Sequence, residues 1–179
     1  MIPLPPVPKG ALVCAIGPAG SGKSTAFRDL PRSSVVCLDE LRERIAGRRG
    51  DQSVTRPAVR RQNQIVNSRL ARGLTTYLDS TNVEFTVRAA LLEQARAHGR
   101  PVVAFVFLTD LPTCLARNAA REEDISVPPR TVTWQHQQTE KALKTLQSEG
   151  FKAVHIVAPH PRTAQHEAEG RDLETHRAP

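Results

Sequence analysis

Residues 17–25 read G-P-A-G-S-G-K-S-T and directly follow the apolar run 11–16. Glycines at this spacing let successive backbone N–H groups converge on phosphates, at the positive end of a helix that begins near Lys23. Lys23 supplies a positive charge for the β and γ phosphates, and Ser24 offers a hydroxyl group to magnesium. The pattern therefore predicts a nucleoside triphosphate site formed by Gly17, Pro18, Ala19, Gly20, Ser21, Gly22, Lys23, Ser24 and Thr25.

A carboxylate and a guanidinium follow the second apolar run of the chain. Asp39 comes directly after this run, and Arg42 lies three residues later on the same face of a predicted helix. Asp39 is suited to accept the proton of an attacking hydroxyl, and Arg42 to bind a phosphate of the acceptor. The residues alone leave open a simpler alternative, in which Asp39 caps the helix and Arg42 is a surface charge.

The third apolar run ends in Asp79 and continues as Ser80, Thr81 and Asn82. An aspartate at this position is typical of a Walker B role, in which it holds magnesium directly or through water. Thr81 and Asn82 are then suited to orient phosphates or neighbouring loops. Helix capping by Thr81 or Asn82 is the alternative, and it is compatible with the first interpretation.

Two arginines follow the fourth apolar run. Arg117 and Arg121 are four residues apart, a spacing that directs both side chains the same way from a helix. Because a polar connector follows them, residues 117–130 are predicted to form a lid that neutralises charge at the γ-phosphoryl group. The alternative is a surface pair bonded to Glu122 or Glu123.

Short apolar runs alternate with longer segments of helical period, which predicts an α/β fold: a five-stranded parallel sheet flanked by helices. The predicted strands are residues 11–16, 34–38, 74–79, 102–108 and 152–157. The predicted helices are residues 23–30, 39–47, 57–72, 84–98, 111–121 and 130–148. In such a sheet the site forms beyond the carboxyl ends of the strands, where all the residues above are expected to meet.

The positive charge of the chain is concentrated in one segment. The whole sequence has a formal net charge of +7, and residues 42–72 alone hold nine arginines against two carboxylates. A basic segment of this kind favours a polyanionic partner such as nucleic acid. A solvated helical face is the alternative that the charge pattern leaves open.

The length of 179 residues favours a single domain, which we expect to span residues 10–158. The proline-rich residues 1–9 are expected to form an extended arm outside the packed domain, and residues 159–179 a disordered tail. No apolar stretch is long enough to cross a membrane, so a cytoplasmic protein is expected. The three cysteines lack the spacing of a zinc or redox motif and are interpreted as reduced structural residues.

Several segments, in order, resemble the kinase module of bacterial polynucleotide kinase-phosphatase and, more distantly, the phage polynucleotide 5′-kinase. The resemblance runs from about residue 10 to residue 157. It is carried by G-P-A-G-S-G-K-S-T, by D-E-L-R at 39–42, D-Q-S-V-T at 51–55, D-S-T-N-V at 79–83, R-N-A-A-R at 117–121 and S-E-G-F-K-A-V-H-I at 148–156. The resemblance implies a P-loop fold of the adenylate-kinase-like phosphotransferase group, with an arginine-bearing lid.

The same resemblance implies a role for each matching residue. Asp39 would be the general base for the 5′-hydroxyl, and Arg42 would bind the phosphate next to it. Arg117 and Arg121 would act from the lid on the ATP phosphates, and Gln52 is assigned to the acceptor side. Leu38 stands where the family usually has a serine. At this length the phosphatase and adenylyltransferase modules of the bacterial enzyme are not expected.

The function expected from the sequence is ATP- and magnesium-dependent phosphorylation of 5′-hydroxyl ends of RNA or DNA in nucleic-acid repair, with Lys23, Asp39, Arg117 and Arg121 as catalytic residues. GTP is a second possible donor. Two alternatives stay open: a P-loop kinase of a sugar, nucleoside or antibiotic, and a non-catalytic ATP-dependent nucleic-acid binding module. Nothing in the sequence indicates the oligomeric state.

Overall fold

A computed structural model describes residues 4–122 and 125–157 of the chain. All strand pairs are parallel and form one sheet, in the order β2-β3-β1-β4-β5. The strands are β1 (Leu12–Ile16), β2 (Val35–Cys37), β3 (Thr76–Asp79), β4 (Val102–Phe107) and β5 (Ala153–Val157). Every residue of β1 and β4 is buried, because both faces of these central strands are covered. The predicted five-stranded parallel sheet is confirmed.

Seven α-helices flank the sheet in the described residues. They are α1 (Lys23–Ala26), α2 (Leu38–Ala46), α3 (Thr55–Ala71), α4 (Phe85–Ala97), α5 (Leu111–Ala119), α6 (Pro129–Leu143) and α7 (Leu146–Glu149). Short 3-10 turns, Arg32–Ser34 and Gln52–Val54, precede β2 and α3. The helices alternate with the strands as the periodicity predicts.

Several element boundaries differ from the predicted ones; the first helix, for example, ends at Ala26 instead of residue 30. The second strand ends at Cys37, and α2 begins at Leu38 with two carboxylates in its first turn, which favour a helix N-terminus. Helix α3 begins at Thr55 because the preceding 3-10 turn runs directly into it. The last predicted helix is divided into α6 and α7 at Thr145, whose hydroxyl donates a hydrogen bond to the carbonyl oxygen of Ala142.

Apolar side chains cover both faces of the sheet. One cluster joins the sheet to α3, α4, α6 and α7, and the other packs around Phe27. Residues 1–9 were expected to lie outside the packed domain. Leu4 and Val7 contact this second cluster, so this part of the arm packs against the domain. The predicted tail, residues 159–179, lies outside the described residues. In the part of the chain that is described, no helix has the length and apolar character needed to cross a membrane.

The sheet topology brings the sequence motifs together. Strand β1 lies between β3 and β4, so the connections after β1 and β3 leave toward opposite sides and open a crevice at the carboxyl end of β1. The phosphate loop follows β1 there. Cys37 is paired in register with Asp79, so Asp39, two residues after Cys37, lies in the first turn of α2 near the end of β3.

Candidate active site

The loop 17–22 wraps around the ammonium group of Lys23. Lys23 Nζ donates hydrogen bonds to the carbonyl oxygens of Gly17 and Pro18, at 3.0 and 2.7 Å. Gly20 has φ +80°, and a Cβ there would collide with the backbone of Cys114, so only glycine fits at this position. The N–H of Gly17 is held by the carbonyl oxygen of Thr81, at 3.1 Å, which fixes the start of the loop to the turn after β3.

Lys23 is only 8% exposed, although it carries a charge. Burial lowers the pKa of its ammonium group to about 8, while the Asp79 carboxylate acts in the opposite direction. An opposite charge at close range favours the protonated form of a lysine. A triphosphate bound in this loop would supply that charge, so the position of Lys23 is suited to an anionic ligand.

Ser24 and Asp79 form an oxygen-rich pair beside Lys23. The Ser24 hydroxyl interacts with the Asp79 carboxylate, whose pKa is raised by burial and lowered in turn by Ser24 and Lys23. A hydroxyl and a carboxylate are hard oxygen donors, and magnesium in phosphate sites binds one or two such groups plus phosphates and water. These two residues fit a magnesium ion that reaches the protein together with a triphosphate. Within residues 4–122 and 125–157, no group of three or more His, Cys, Asp or Glu side chains could hold a metal ion on its own.

Asp39 and Arg42 form an ion pair at the mouth of the same cleft. Arg42 Nη1 lies 2.5 Å from Asp39 Oδ1. The side chain of Asp39 is 57% exposed, whereas that of Arg42 is 10% exposed. Asp39 therefore presents a solvent-accessible carboxylate whose orientation is set by a buried cation. Asp39 lies in the first turn of α2, but the structure assigns that helix no side-chain cap.

The D-Q-S-V-T segment holds Arg42 from the other side. Arg42 Nε donates to Thr55 Oγ1 at 3.2 Å, and Thr55 Oγ1 donates to Gln52 Oε1 at 3.1 Å. Asp51 caps the intervening 3-10 turn by accepting hydrogen bonds from the N–H and hydroxyl of Ser53. The acceptor residues predicted from sequence, Arg42 and Gln52, are thus joined in one hydrogen-bonded chain through Thr55.

Thr81 and Asn82 form the turn between β3 and α4. Asn82 adopts a left-handed conformation, with φ 45°, and its Nδ2 donates to the buried carbonyl oxygen of Ala15 at 2.8 Å. Neither residue provides a side-chain cap to α4, which begins after Glu84 without one. Their observed contacts connect the turn to β1 and to the phosphate loop.

The predicted lid arginines occupy different positions. Arg121 follows the end of α5, which stops at Ala119, and it lines the cleft with Lys23 and Asp39. Arg117 lies on α5, with Nη1 4.0 Å from the point that a Cβ on Gly22 would occupy. Arg117 therefore lies beside the phosphate loop, and Arg121 lies in the cleft that contains Lys23.

Asn118 on α5 is bonded to the segment that leads into α6. It is 3% exposed; its Nδ2 donates to the Val127 carbonyl oxygen at 2.8 Å, and its Oδ1 accepts from the Val127 N–H at 3.2 Å.

Two contacting residues were not identified from the sequence. Gln135 Oε1 accepts a hydrogen bond from the N–H of Ala19 at 2.9 Å, and so reaches the phosphate loop from α6. Arg88 Nη1 donates to the carbonyl oxygens of Asn82 and Val83, at 3.3 and 2.7 Å. Polarity on the inner face of α6 was the only available signal for Gln135, since its partner is 116 residues away.

Two connected clefts open at this edge of the sheet. The first, of about 430 Å³, is lined by Lys23, Ser24, Asp39, Asp79 and Arg121, among others. The second, of about 710 Å³, lies between α3 and α4 and shares Arg42, Gln52 and Thr81 with the first. Apart from Arg42 and Glu84 its lining is uncharged. The arrangement joins a phosphate cleft to a larger, nearly neutral pocket, with Asp39 and Arg42 close to the junction.

A parallel sheet of this order with a phosphate loop after its first strand defines a P-loop, kinase-like phosphotransferase fold, and such a fold binds nucleotides. The AAA domain family model matches residues 12–146, well over half of the chain. The chain therefore belongs to this family, in its P-loop kinase form. No curated protein matches it in sequence.

Solved structures of low sequence identity share the fold. A chain of the Pnkp1/Rnl/Hen1 RNA repair complex aligns with a TM-score of 0.65 and 18% identity, over 78% of this chain and 47% of that one. The PezAT toxin-antitoxin system of Streptococcus pneumoniae gives 0.56 and 15%, over 83% and 68%. A gluconokinase from Sinorhizobium meliloti gives 0.52 and 17%, over 91% and 88%. The chain spans about half the length of the repair-complex chain.

Proposed function

We propose that the chain transfers the γ-phosphate of ATP to the 5′-hydroxyl end of RNA or DNA. The observation that carries this proposal is the Asp39–Arg42 pair, an exposed carboxylate fixed by a buried guanidinium at the mouth of the phosphate cleft. A carboxylate in this position is suited to general base catalysis, and a guanidinium beside it to an acceptor that has a phosphate next to its reacting hydroxyl.

The donor side consists of the loop amides, Lys23, Arg117 and Arg121. Lys23 would bind the β and γ phosphates, and its buried position excludes water from that contact. Arg121 lines the same cleft as Asp39, where it would stabilise charge that develops on the γ-phosphoryl group. Ser24, with Asp79 behind it, would hold magnesium, which supplies charge neutralisation to the β and γ oxygens.

These groups account for the proton transfer and for the bonds formed and broken in the proposed step. The acceptor hydroxyl gives its proton to the Asp39 carboxylate as its oxygen forms a bond to the γ-phosphorus. The bond between the γ-phosphorus and the bridging oxygen to the β-phosphate breaks, and ADP leaves. Arg42 would bind the acceptor phosphate adjacent to the hydroxyl, while Thr55 and Gln52 keep its guanidinium in place.

One observation favours a second candidate, the phosphorylation of a small molecule. The pocket between α3 and α4 is large enough, at about 710 Å³, for a sugar, nucleoside or antibiotic, and its lining is nearly neutral. The fold itself suits either acceptor, because its relatives include both a chain of an RNA repair complex and a gluconokinase. The charge of segment 42–72 and the buried Arg42 support the polynucleotide. In a non-catalytic ATP-dependent binding module, the exposed Asp39 carboxylate would have no catalytic role.

The test is an incubation with γ-labelled ATP and magnesium. Oligonucleotides of RNA and DNA with a 5′-hydroxyl are offered beside the same strands with a 5′-phosphate. Label is expected only on the 5′-hydroxyl strands. Asp39→Asn keeps the shape of the side chain, and it should lower kcat by about 10²- to 10⁴-fold while ATP affinity stays nearly unchanged.

Asp29→Asn is the matched control, because Asp29 is an exposed carboxylate outside both clefts. It should leave transfer unchanged. A loss of ATP affinity as large as the loss of rate in Asp39→Asn would contradict the role as base. Label on no strand, with ATP still bound, would refute the polynucleotide acceptor and direct the same assay to sugars, nucleosides and aminoglycoside-like hydroxyl compounds.

A further inference from the structure

A basic cleft lies outside both of the clefts described above. It has a volume of about 430 Å³ and is bounded by the edge strand β2, the start of α2 and the end of α3. Four arginines and one carboxylate line it: Arg32, Arg44, Arg69, Arg72 and Glu40. The cleft therefore has a net charge of +3, which makes an anionic occupant favourable.

The four arginines differ in what their side chains already bind. Arg69 donates to the carbonyl oxygens of Ser33 and Thr75 and to the Thr76 hydroxyl, so its guanidinium is committed to the protein. Arg32 pairs with Glu40 at 3.0 Å. The side chains of Arg44 and Arg72 form no hydrogen bond or ion pair with any residue of 4–122 or 125–157.

Glu40 is the single carboxylate in the lining of the cleft, so most of the repulsion between these positive charges remains. Burial, followed by the positive charge of Arg72, lowers the pKa of Arg69.

The positive charge continues along one face of α3. Arg61 and Arg72 are eleven residues apart, which is close to three full turns, so both side chains leave the helix in nearly the same direction. Ser68 lies between them on this face and lines the cleft. At 1.5 Å per residue, the two positions are about 16 Å apart along the helix axis, which corresponds to about five phosphate steps of 3.4 Å in a stacked strand.

Helix α2 separates the basic cleft from the phosphate cleft. Asp39 and Arg42 line the phosphate cleft, whereas Glu40 and Arg44 line the basic one. Arg44 is about 200° around the helix from Arg42, and a helix with its side chains is about 10–12 Å wide. A strand whose 5′ end lies at Asp39 would therefore reach Arg44 after about three nucleotides.

We infer that the surface formed by Arg44, Arg72 and Arg61 binds the sugar-phosphate backbone of the acceptor strand downstream of its reacting end. This inference rests on the proposed function, because it assigns a course to the polynucleotide acceptor of the same site. A nucleic-acid strand carries phosphates at a fixed interval along its length, so one phosphate can lie near each of Arg61 and Arg72, the two arginines of the row on α3. An acidic protein segment has no such fixed interval, so the backbone of a nucleic acid fits the row better.

The test compares two double variants that each remove two exposed positive charges. Arg44→Gln with Arg72→Gln changes the basic surface. Arg96→Gln with Lys141→Gln changes the groove between α4 and α6, which shares no lining residue with the basic cleft. The acceptors are a 5′-hydroxyl dinucleotide, which ends before Arg44, and a 5′-hydroxyl strand of about twelve nucleotides, so that only the longer one can span α2 and reach the row. Phosphorylation is measured for kcat and KM, and binding of the labelled longer strand without ATP is measured over a range of salt concentrations.

In Arg44→Gln with Arg72→Gln, we expect KM for the longer strand to rise by about two- to thirtyfold, as for two exposed ion pairs, with kcat unchanged. KM for the short strand should not change. The slope of log affinity against log salt should become shallower by about 1.4, the value for two single-strand phosphate contacts. Arg44→Lys with Arg72→Lys keeps the charges and should restore most of the affinity, which separates charge from folding.

Four results would overturn the inference. Equal effects on the short and long strands, or an equal effect of the Arg96 and Lys141 variant, would show that overall charge acts rather than this surface. Binding of the longer strand that does not change in the variant would exclude the surface directly. If a poly-glutamate peptide binds as tightly as the strand, and if its binding is lost in the same variant, the cleft would be assigned to an acidic protein. If the wild type labels no strand at all, the proposed function fails, while the salt-dependent binding still tests the surface by itself.

Discussion

Replacement of Glu149 by glutamine tests a buried ion pair, Arg88–Glu149, next to the turn between β3 and α4 at the candidate active site. Arg88 Nε and Nη2 donate to the two carboxylate oxygens of Glu149, both at 2.7 Å, and the side chains are 3% and 4% exposed. The variant leaves a buried guanidinium without its counter-charge, a change that costs about 3–5 kcal/mol in other proteins. For a domain of this size we expect the melting temperature to fall by about 6–20 °C.

A double variant, Arg88→Met with Glu149→Leu, separates the effect of the ion pair from that of the hydrogen bonds that Arg88 donates to the backbone. Replacing both partners of a buried pair by apolar residues is often neutral or stabilising. Here Arg88 Nη1 also donates to the carbonyl oxygens of Asn82 and Val83, and these lose their donor in the double variant. A deficit of about 1–3 kcal/mol relative to wild type should therefore persist, and transfer should slow because this turn lines the pocket between α3 and α4.

The free energy of unfolding of both variants is measured in urea by far-UV circular dichroism. Glu93→Gln is the control, because Glu93 is an exposed carboxylate in the groove between α4 and α6 that Glu149 also lines. Full recovery of stability in the double variant would refute the reasoning, because the two carbonyl groups would then not depend on Arg88. An equal loss in Glu93→Gln would likewise remove the special role of the pair.

The same pair predicts a dependence on pH. Burial acts to raise the pKa of Glu149, but the hydrogen bonds from Arg88 and Thr145 and the charge of Arg88 outweigh it, so the pKa lies below its ordinary value of 4.5. A carboxyl group with a lowered folded-state pKa stabilises the fold above its unfolded pKa, and this stabilisation is lost as pH falls through the folded value. The difference in unfolding free energy between wild type and Glu149→Gln should therefore be constant above about pH 5 and shrink below pH 4.5.

Two further predictions concern backbone conformation at the site. Gly20→Ala should abolish ATP binding, because its Cβ would collide with the Cys114 carbonyl group. Gly22→Ala should weaken the fold by only about 1–2 kcal/mol, since the nearest atom to its Cβ would lie 4.0 Å away. Equal losses of ATP affinity in the two variants, measured by calorimetric titration, would contradict this. Asn82→Gly keeps the left-handed turn but removes the hydrogen bond to Ala15, so it should cost about 1–3 kcal/mol in urea unfolding. Asn82→Ala adds about 1 kcal/mol of strain to that cost, and a smaller loss for Ala than for Gly would show that the conformation is not constrained.

The central sheet could be predicted because its signal is local. Strands β1 and β4 are buried on both faces, so their sequences are continuous apolar runs that periodicity detects. Boundaries were less accurate where a turn carries no glycine or proline. The division between α6 and α7 at Thr145 is one example, because its cause is a side-chain hydrogen bond and not a change in composition.

The candidate site divides in the same way into local and distant parts. The phosphate loop and the Asp39–Arg42 pair are each contained within one short segment, so residue type and spacing sufficed to identify them. The contacts of Gln135 with Ala19 and of Arg88 with Glu149 join residues 116 and 61 positions apart. Such pairs depend on how helices pack, and a polar residue on an inward face has the same appearance in sequence whichever partner it finds.

Segment 42–72, which appeared in sequence as one block of charge, contains residues with different surroundings. Arg42 is buried beside Asp39, Arg49 pairs with Glu43, and Arg69 binds backbone carbonyl oxygens. Arg44 and Arg72 remain exposed on the far side of α2 and at the end of α3. Net charge alone therefore overstates how much of the segment is available to a polyanion, and the available part is the surface proposed to bind the acceptor strand.

The length of the acceptor is therefore the variable that best separates the two candidate functions. A small molecule would fit entirely within the nearly neutral pocket between α3 and α4, and the exposed arginines beyond α2 would contribute nothing to its binding. A polynucleotide would use Arg42 at its end and the exposed row along its backbone. Affinity that increases with strand length and decreases with salt would follow only from the second arrangement, because only an extended acceptor can contact both faces of α2 at once.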